Sequence, residues 1–225
     1  MDNQLKEVVG ATLAAIGTII SAVSTIPATS EKMDKLFEGL DIVGNTLQGT
    51  GNALQADGQI GPSLDKLGNE IQAIGNSIVI AGLTLDLEDE NEEKLVITGN
   101  WLQALGGAAA LGEELEDPTA PGQAFNINGN LLQSIGNSLQ SIGGTANLRE
   151  KESGGPGDSS NKIIAIGSWI QAVGSVLSLI GVLEGENQDS DTESSEVNHD
   201  PDTEGSEENN EPDSKSSVWL NEELL

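Results

Sequence analysis

The chain has 225 residues and carries 37 acidic against 9 basic side chains, a net charge of −28. That balance leaves no phosphate-binding patch and excludes nucleic acid as a partner. There is no cysteine and one histidine, so disulfides, thiolate chemistry, Ser-His-Asp and Cys-His constellations and His-rich metal sites are unsupported, and a reducing, cytoplasmic setting is compatible.

The first helix is expected from about Asn3 to Ile26, with Gly10-x-x-Leu13-x-x-Ile16 followed by Gly17-x-x-Ile20-x-x-Val23. Residues 8–26 contain no charge, which is long enough to span a bilayer. Asp2 and Glu7 offset Lys6, so the segment makes a poor secretory signal, and a central bundle helix is the preferred reading. Pro27 ends this helix and Ser30 can cap the next. The second helix keeps its apolar seam through Met33, Leu36, Leu40, Val43, Leu47 and Leu54, with Gly44, Gly51 and Gly58 in step. Gly58–Ser63 (GQIGPS) shifts the phase and supplies turn chemistry. The third helix follows through Leu64, Leu67, Ile71, Ile74 and Ile78, with Gly68, Gly75 and Gly82.

Asp86–Lys94 (DLEDENEEK) reads as a turn or an exposed helix end, and the fourth helix covers roughly Glu92–Leu115. Asp117–Gln123 (DPTAPGQ) is a linker, and the fifth helix spans about Phe125–Leu148. It holds the clearest form of the repeat, Asn130–Gly143, NLLQSIGNSLQSIG. Leu139 follows Ile135 by four residues and Ile142 follows Leu139 by three, a heptad with Leu at a and Ile at d. Glycine then falls beside the apolar seam, and Asn and Gln are expected to face outward. Each interior glycine disfavours helix by about 1 kcal/mol relative to alanine, so close backbone approach has to compensate. A β-solenoid with turns at G-N is the competing reading. The apolar residues do not alternate with period two, which argues against it.

Arg149–Asn161 (REKESGGPGDSSN) is a flexible connection by composition. The sixth helix, Lys162 to about Leu183, carries Gly167, Gly174 and Gly181, and its residues 163–183 form the second uncharged run of spanning length. Glu184–Ser217 is acidic and almost free of apolar residues and should be disordered. Val218–Leu225 (VWLNEELL) restores apolarity as a short docking segment or a frayed end.

No residue recommends itself as catalytic, cofactor-binding or metal-ligating. His199 sits in the acidic tail beside Asp200, and the carboxylate pairs lie in runs expected to be solvated, where raised pKa values are not expected. Asn187–Asn198 has acidic residues at alternating positions but lacks the turn glycine and final glutamate of a calcium loop. Ser153–Lys162 has no G-K-S/T and follows no strand, so it is no phosphate loop. Trp101 and Trp169 share one repeat position; they are expected to fill space opposite a neighbouring glycine, with membrane-interface anchoring as the alternative.

The units Gly44–Ala56, Gly68–Gly75, Gly99–Gly106 and Gly129–Gly143 resemble the G-N-x-L-Q-A-I-G repeats of uncharacterised repetitive proteins found in Bacillus-type bacteria. The resemblance covers roughly residues 3–183, implies a bacterial source and transfers no site residues. The expected fold is all-α: a bundle or array of about six glycine-flanked heptad helices over residues 1–183, with a disordered acidic tail over 184–225. The expected function is non-enzymatic, through helix packing or self-association as a homo-oligomer in the cytoplasm. The alternative is a membrane protein with helices 8–26 and 163–183 inserted and a pore-forming role as a special case.

Overall fold

A computed structural model describes residues 1–154 and 158–197, with side chains for 1–154 and 159–185. Among the described residues the chain forms six helices and no strand: α1 (Asn3–Ser24), α2 (Glu31–Gly58), α3 (Leu64–Thr84), α4 (Asp89–Glu114), α5 (Gln123–Glu152) and α6 (Asp158–Val197). The expected all-α bundle of six helices is what the chain builds. Local chemistry sets most breaks where the sequence marks them, but α5 and α6 take in residues 149–152 and 158–161 of the connection expected over Arg149–Asn161. Ser30 and Ser63 accept hydrogen bonds from the Met33 and Lys66 amides and cap α2 and α3. Gly61 and Gly122 turn the chain in the left-handed region, at φ 81° and 72°, on either side of the α3/α4 hairpin. α6 continues beyond Leu183 to Val197, and His199 and Val218–Leu225 lie outside the described residues.

Each helix packs on its two neighbours in sequence, and α6 returns to α1, so the six helices close a ring. The ring is built of three antiparallel hairpins, α1/α2, α3/α4 and α5/α6, each joined by two reciprocal glycine pairs. These are Gly10 with Gly51 and Gly17 with Gly44, then Gly68 with Gly106 and Gly75 with Gly99, then Gly129 with Gly174 and Gly136 with Gly167. The approach is close enough that a methyl group at Gly17 would stand 2.5 Å from the Gly44 carbonyl oxygen, and one at Gly136 2.6 Å from that of Gly167. This is the compensation the heptad glycines require. The junctions between hairpins are wider and use side chains: Ser134 donates to the Ala104 carbonyl at 2.9 Å and Ser141 to that of Ile97 at 3.2 Å.

The orientation of the helices is the reverse of the one expected. The sealed positions toward the axis are Asn45, Gln48, Asn52, Asn69, Gln72, Asn76, Asn100, Gln103, Asn130, Gln133 and Asn137, with serines and alanines between them. The leucines and isoleucines of the heptad face out: Leu36, Ile74, Leu105 and Ile166 are each 56–57% exposed. Among the described residues, only Phe37 and Val79 represent the larger apolar side chains at buried positions. The glycines make this possible, because hairpins that touch backbone to backbone need no leucine at the contact. The heptad period holds along the helices, but the amide stripe, not the apolar stripe, points inward.

Candidate functional site: a polar axial core

Along the axis lie two cavities, each lined from all six helices. One, of about 110 Å³, is lined by Ser21, Asp41, Asn45, Gln48, Val79, Glu93, Asn100, Gln103, Gln140 and Gln171 among others. The other, of about 40 Å³, is lined by Ala14, Asn52, Asp65, Asn69, Gln72, Glu114, Asn130, Gln133, Ser175 and Ser178 among others. Helix direction explains the split. Side chains lean toward the N-terminus of their own helix. Gln48, Gln103 and Gln171, midway between the glycine pairs on α2, α4 and α6, therefore lean one way into the larger chamber. Gln72 and Gln133 on α3 and α5 run antiparallel to them and lean the other way; α1 has Ala14 at this level.

Between the chambers the amides bond to one another. Gln171 donates to Gln48 at 2.8 Å and to Gln103 at 3.3 Å and accepts from Gln140 at 2.8 Å, so one side chain ties α2, α4, α5 and α6 together. Gln48 in turn donates to the Ser21 hydroxyl of α1 at 3.2 Å. Gln133 donates to Ser178 at 2.9 Å and accepts from Ser175 at 3.2 Å. Buried amides are tolerable when bonded, and most here are. Gln103 Nε2 and Glu114 Oε2 have no protein partner, and each lines a chamber large enough for water; Asn76 Oδ1 and Asn137 Nδ2 also lack a partner and line neither chamber.

Carboxylates stand in both chambers, contrary to the expectation that they are solvated with ordinary pKa values. Asp41, bonded by Asn45 at 3.0 Å, is pushed up to about 6, chiefly by burial. Asp65 reaches about 6 through burial and the charge of Glu113, opposed by its bond from Gln59. Glu114 rises to about 8 through burial and the charge of Asp65, opposed by Asn130, which donates to it at 2.7 Å. A signal for them exists in the register. Asp41 and Asp65 lie one turn before the inward Asn45 and Asn69, and Glu114 lies one turn after the inward Ala110. Among the described residues no group of three or more His, Asp or Glu side chains is arranged to hold a metal ion.

The outer face is ordered differently. Every helix carries an uncharged run through its middle, from residues 71–84 in α3, about 21 Å long, to residues 123–148 in α5, about 39 Å. Charges gather at both ends of the ring: Lys6 pairs with Asp57 at 2.8 Å at one, and Lys151 with Glu93 at 2.7 Å at the other. Trp101 and Trp169 stand on this outer face, 46% and 45% exposed, and neither fills space in the core. Thr46, Ser77 and Asn128, also outward, donate to carbonyls one turn back on their own helices at 2.8, 2.9 and 2.6 Å.

No curated protein and no solved structure matches the chain. A family model does match, over residues 5–179, the span that holds the glycine-paired ring, and by that match the chain belongs to a family of unknown function, DUF6944.

Proposed function

We propose that the protein is a membrane-embedded helical barrel whose apolar outer belt meets lipid and whose amide-lined axis is a closed hydrophilic path, and that it works without covalent chemistry. The observation that carries the reading is the inversion of faces. In water, each large aliphatic side chain left outside forgoes about 1.5–3 kcal/mol of burial, and this ring leaves them outside on all six helices. Against acyl chains the same arrangement is the favourable one, and the polar groups must then bond internally, as the glutamine network does. Outward hydroxyls that bond their own helix support the same environment.

Two helical stretches, Asn3–Ser24 and Ser159–Gly185, are long and apolar enough to cross a bilayer. The other four fall short on average hydropathy because one side of each is amide-rich; in a ring that side faces the axis, so the outer side alone decides what surrounds it. Self-association is the second reading, favoured by the apolar outward groove of Leu132, Ile166, Trp169, Ile170 and Val173. A partner copy covers one sector of a ring, whereas the uncharged belt runs right round it, and this favours lipid.

The test uses the two outward tryptophans. In a Trp219→Phe chain added to vesicles with brominated acyl chains, Trp101 and Trp169 fluorescence is expected to be strongly quenched, and the protein to float with the vesicles after an alkaline carbonate wash. A chain that stays soluble, sediments as a defined oligomer and shows no acyl quenching overturns the membrane reading in favour of self-association.

A further inference from the structure

The smaller chamber contains a feature that the barrel itself does not require. Glu114 is only 6% exposed and one of its oxygens, Oε1, accepts from Asn130 at 2.7 Å, yet Oε2 has no donor while the side chain lines the chamber. Across the chamber stands Asp65, which accepts from Gln59 and, at 3.3 Å, from Asn69. Neither carboxylate has a lysine or arginine partner among the ion pairs of the described residues. The titratable groups facing Glu114 are Asp65 from α3 and Glu113 of its own helix, both acidic, while α5 presents the amides of Asn130 and Gln133. A buried carboxylate oxygen beside a second carboxylate, with no donor, calls for a positive charge.

We propose that this chamber binds one small monovalent cation, Na⁺ or K⁺, between the carboxylates of Asp65 and Glu114, in exchange for a proton. The ligand chemistry is all oxygen: two carboxylates, amide carbonyls and the serine hydroxyls of α6, which selects hard cations over thiophilic or imidazole-loving ones. The volume, about 40 Å³, takes one ion and a few waters. Calcium takes six to eight oxygens and is poorly served by two carboxylates. Charge balance points the same way. A monovalent ion that takes the place of the one proton held between the two carboxylates leaves the charge of the pair unchanged. Exchange with the proton follows because both cations compete for Glu114 Oε2.

The experiment is thermal unfolding of the full-length protein near pH 8.5, with choline chloride replaced stepwise by NaCl or KCl at constant ionic strength. A saturable rise in Tm is expected with Na⁺ or K⁺, absent in Glu114→Gln and retained in Asp41→Asn, which alters the other chamber. A lightly buffered sample at pH 7.5 should release about one proton per cation bound. Equal Tm in choline, Na⁺ and K⁺ overturns the proposal, as does a rise that survives Glu114→Gln. A response to micromolar Ca²⁺ with none to Na⁺ or K⁺ overturns the monovalent assignment. The measurement is made in whichever medium disperses the protein, buffer or detergent micelle, so its failure is distinct from a failure of the membrane reading.

Discussion

On α2, Gln48 and Val43 lie little more than one turn apart and follow opposite rules. Gln48 is sealed against Gln171 of α6 and Ser21 of α1, while Val43 is half exposed. The same contrast recurs on α4 between Gln103 and Leu105 and on α6 between Gln171 and Trp169. Specificity in this ring comes from the inner face, where most amides have a defined hydrogen-bond partner, whereas the apolar area of the outer face is interchangeable. The glycines sit on the border and let the two faces coexist on thin helices.

The largest effect should come from thickening that border. Gly75→Leu places a side chain where even a methyl group stands 2.7 Å from the Gly99 carbonyl oxygen, so the α3/α4 hairpin should lose about 3 kcal/mol or more in a denaturant titration followed by circular dichroism. Next comes an exchange of the two faces. Gln171→Leu strips partners from Gln48, Gln103 and Gln140 and should cost about 1–3 kcal/mol in the same titration. Leu105→Gln, outward, should leave stability in micelles within about 0.5 kcal/mol of the parent while lowering the fraction retained in carbonate-washed vesicles. If Leu105→Gln destabilises the fold more than Gln171→Leu, the assignment of the two faces is wrong.

A smaller and more distributed effect is expected from pH. The ordinary values are 3.8 for Asp41 and Asp65 and 4.5 for Glu114, and in the fold they rise to about 6, about 6 and about 8. Above the ordinary values the folded chain therefore holds more protons than the unfolded one. Stability should be greatest near the low end of this window and decline as pH rises from about 4 to about 8. Thermal unfolding across that range in choline buffers checks it, and Glu114→Gln should flatten the portion above about pH 6. The smallest predicted change is a gain. Gly39 of α2 has nothing within 4 Å of the position a Cβ would take, so Gly39→Ala should stabilise by about 0.5–1 kcal/mol, measurable as a raised denaturation midpoint.

The helices and their breaks were readable because spacing, caps and turn residues are local: Ser30, Ser63, Gly61 and Gly122 act on the backbone beside them. The inward face was not, because a heptad fixes two stripes at fixed separation and leaves open which of them meets the axis. In a ring closed by glycine contacts it is the Asn and Gln stripe that meets the axis. The clue was the position of Asn beside Gly in every G-N pair, since a residue next to the contacting glycine is drawn to the interior with it. Asp41, Asp65 and Glu114 were missed for the same reason: reading the amide face as outward placed their carboxylates in solvent. Trp101 and Trp169 were misplaced by the matching error, since they follow the apolar stripe outward.

Closure of the ring has a kinetic side. The three hairpins form from neighbouring segments, whereas the α6–α1 seam joins the two ends of the helical region. Local pairings are fast, and the loop closed by the seam is the longest the chain makes, so hairpins assemble first and the ring shuts last. Until it shuts, α1 and α6 each present an unmet flank to any other copy. A chain with a weakened α6–α1 seam should therefore populate swapped assemblies in which one molecule's α6 completes another's ring, and the yield of monomeric rings should fall as the refolding concentration is raised.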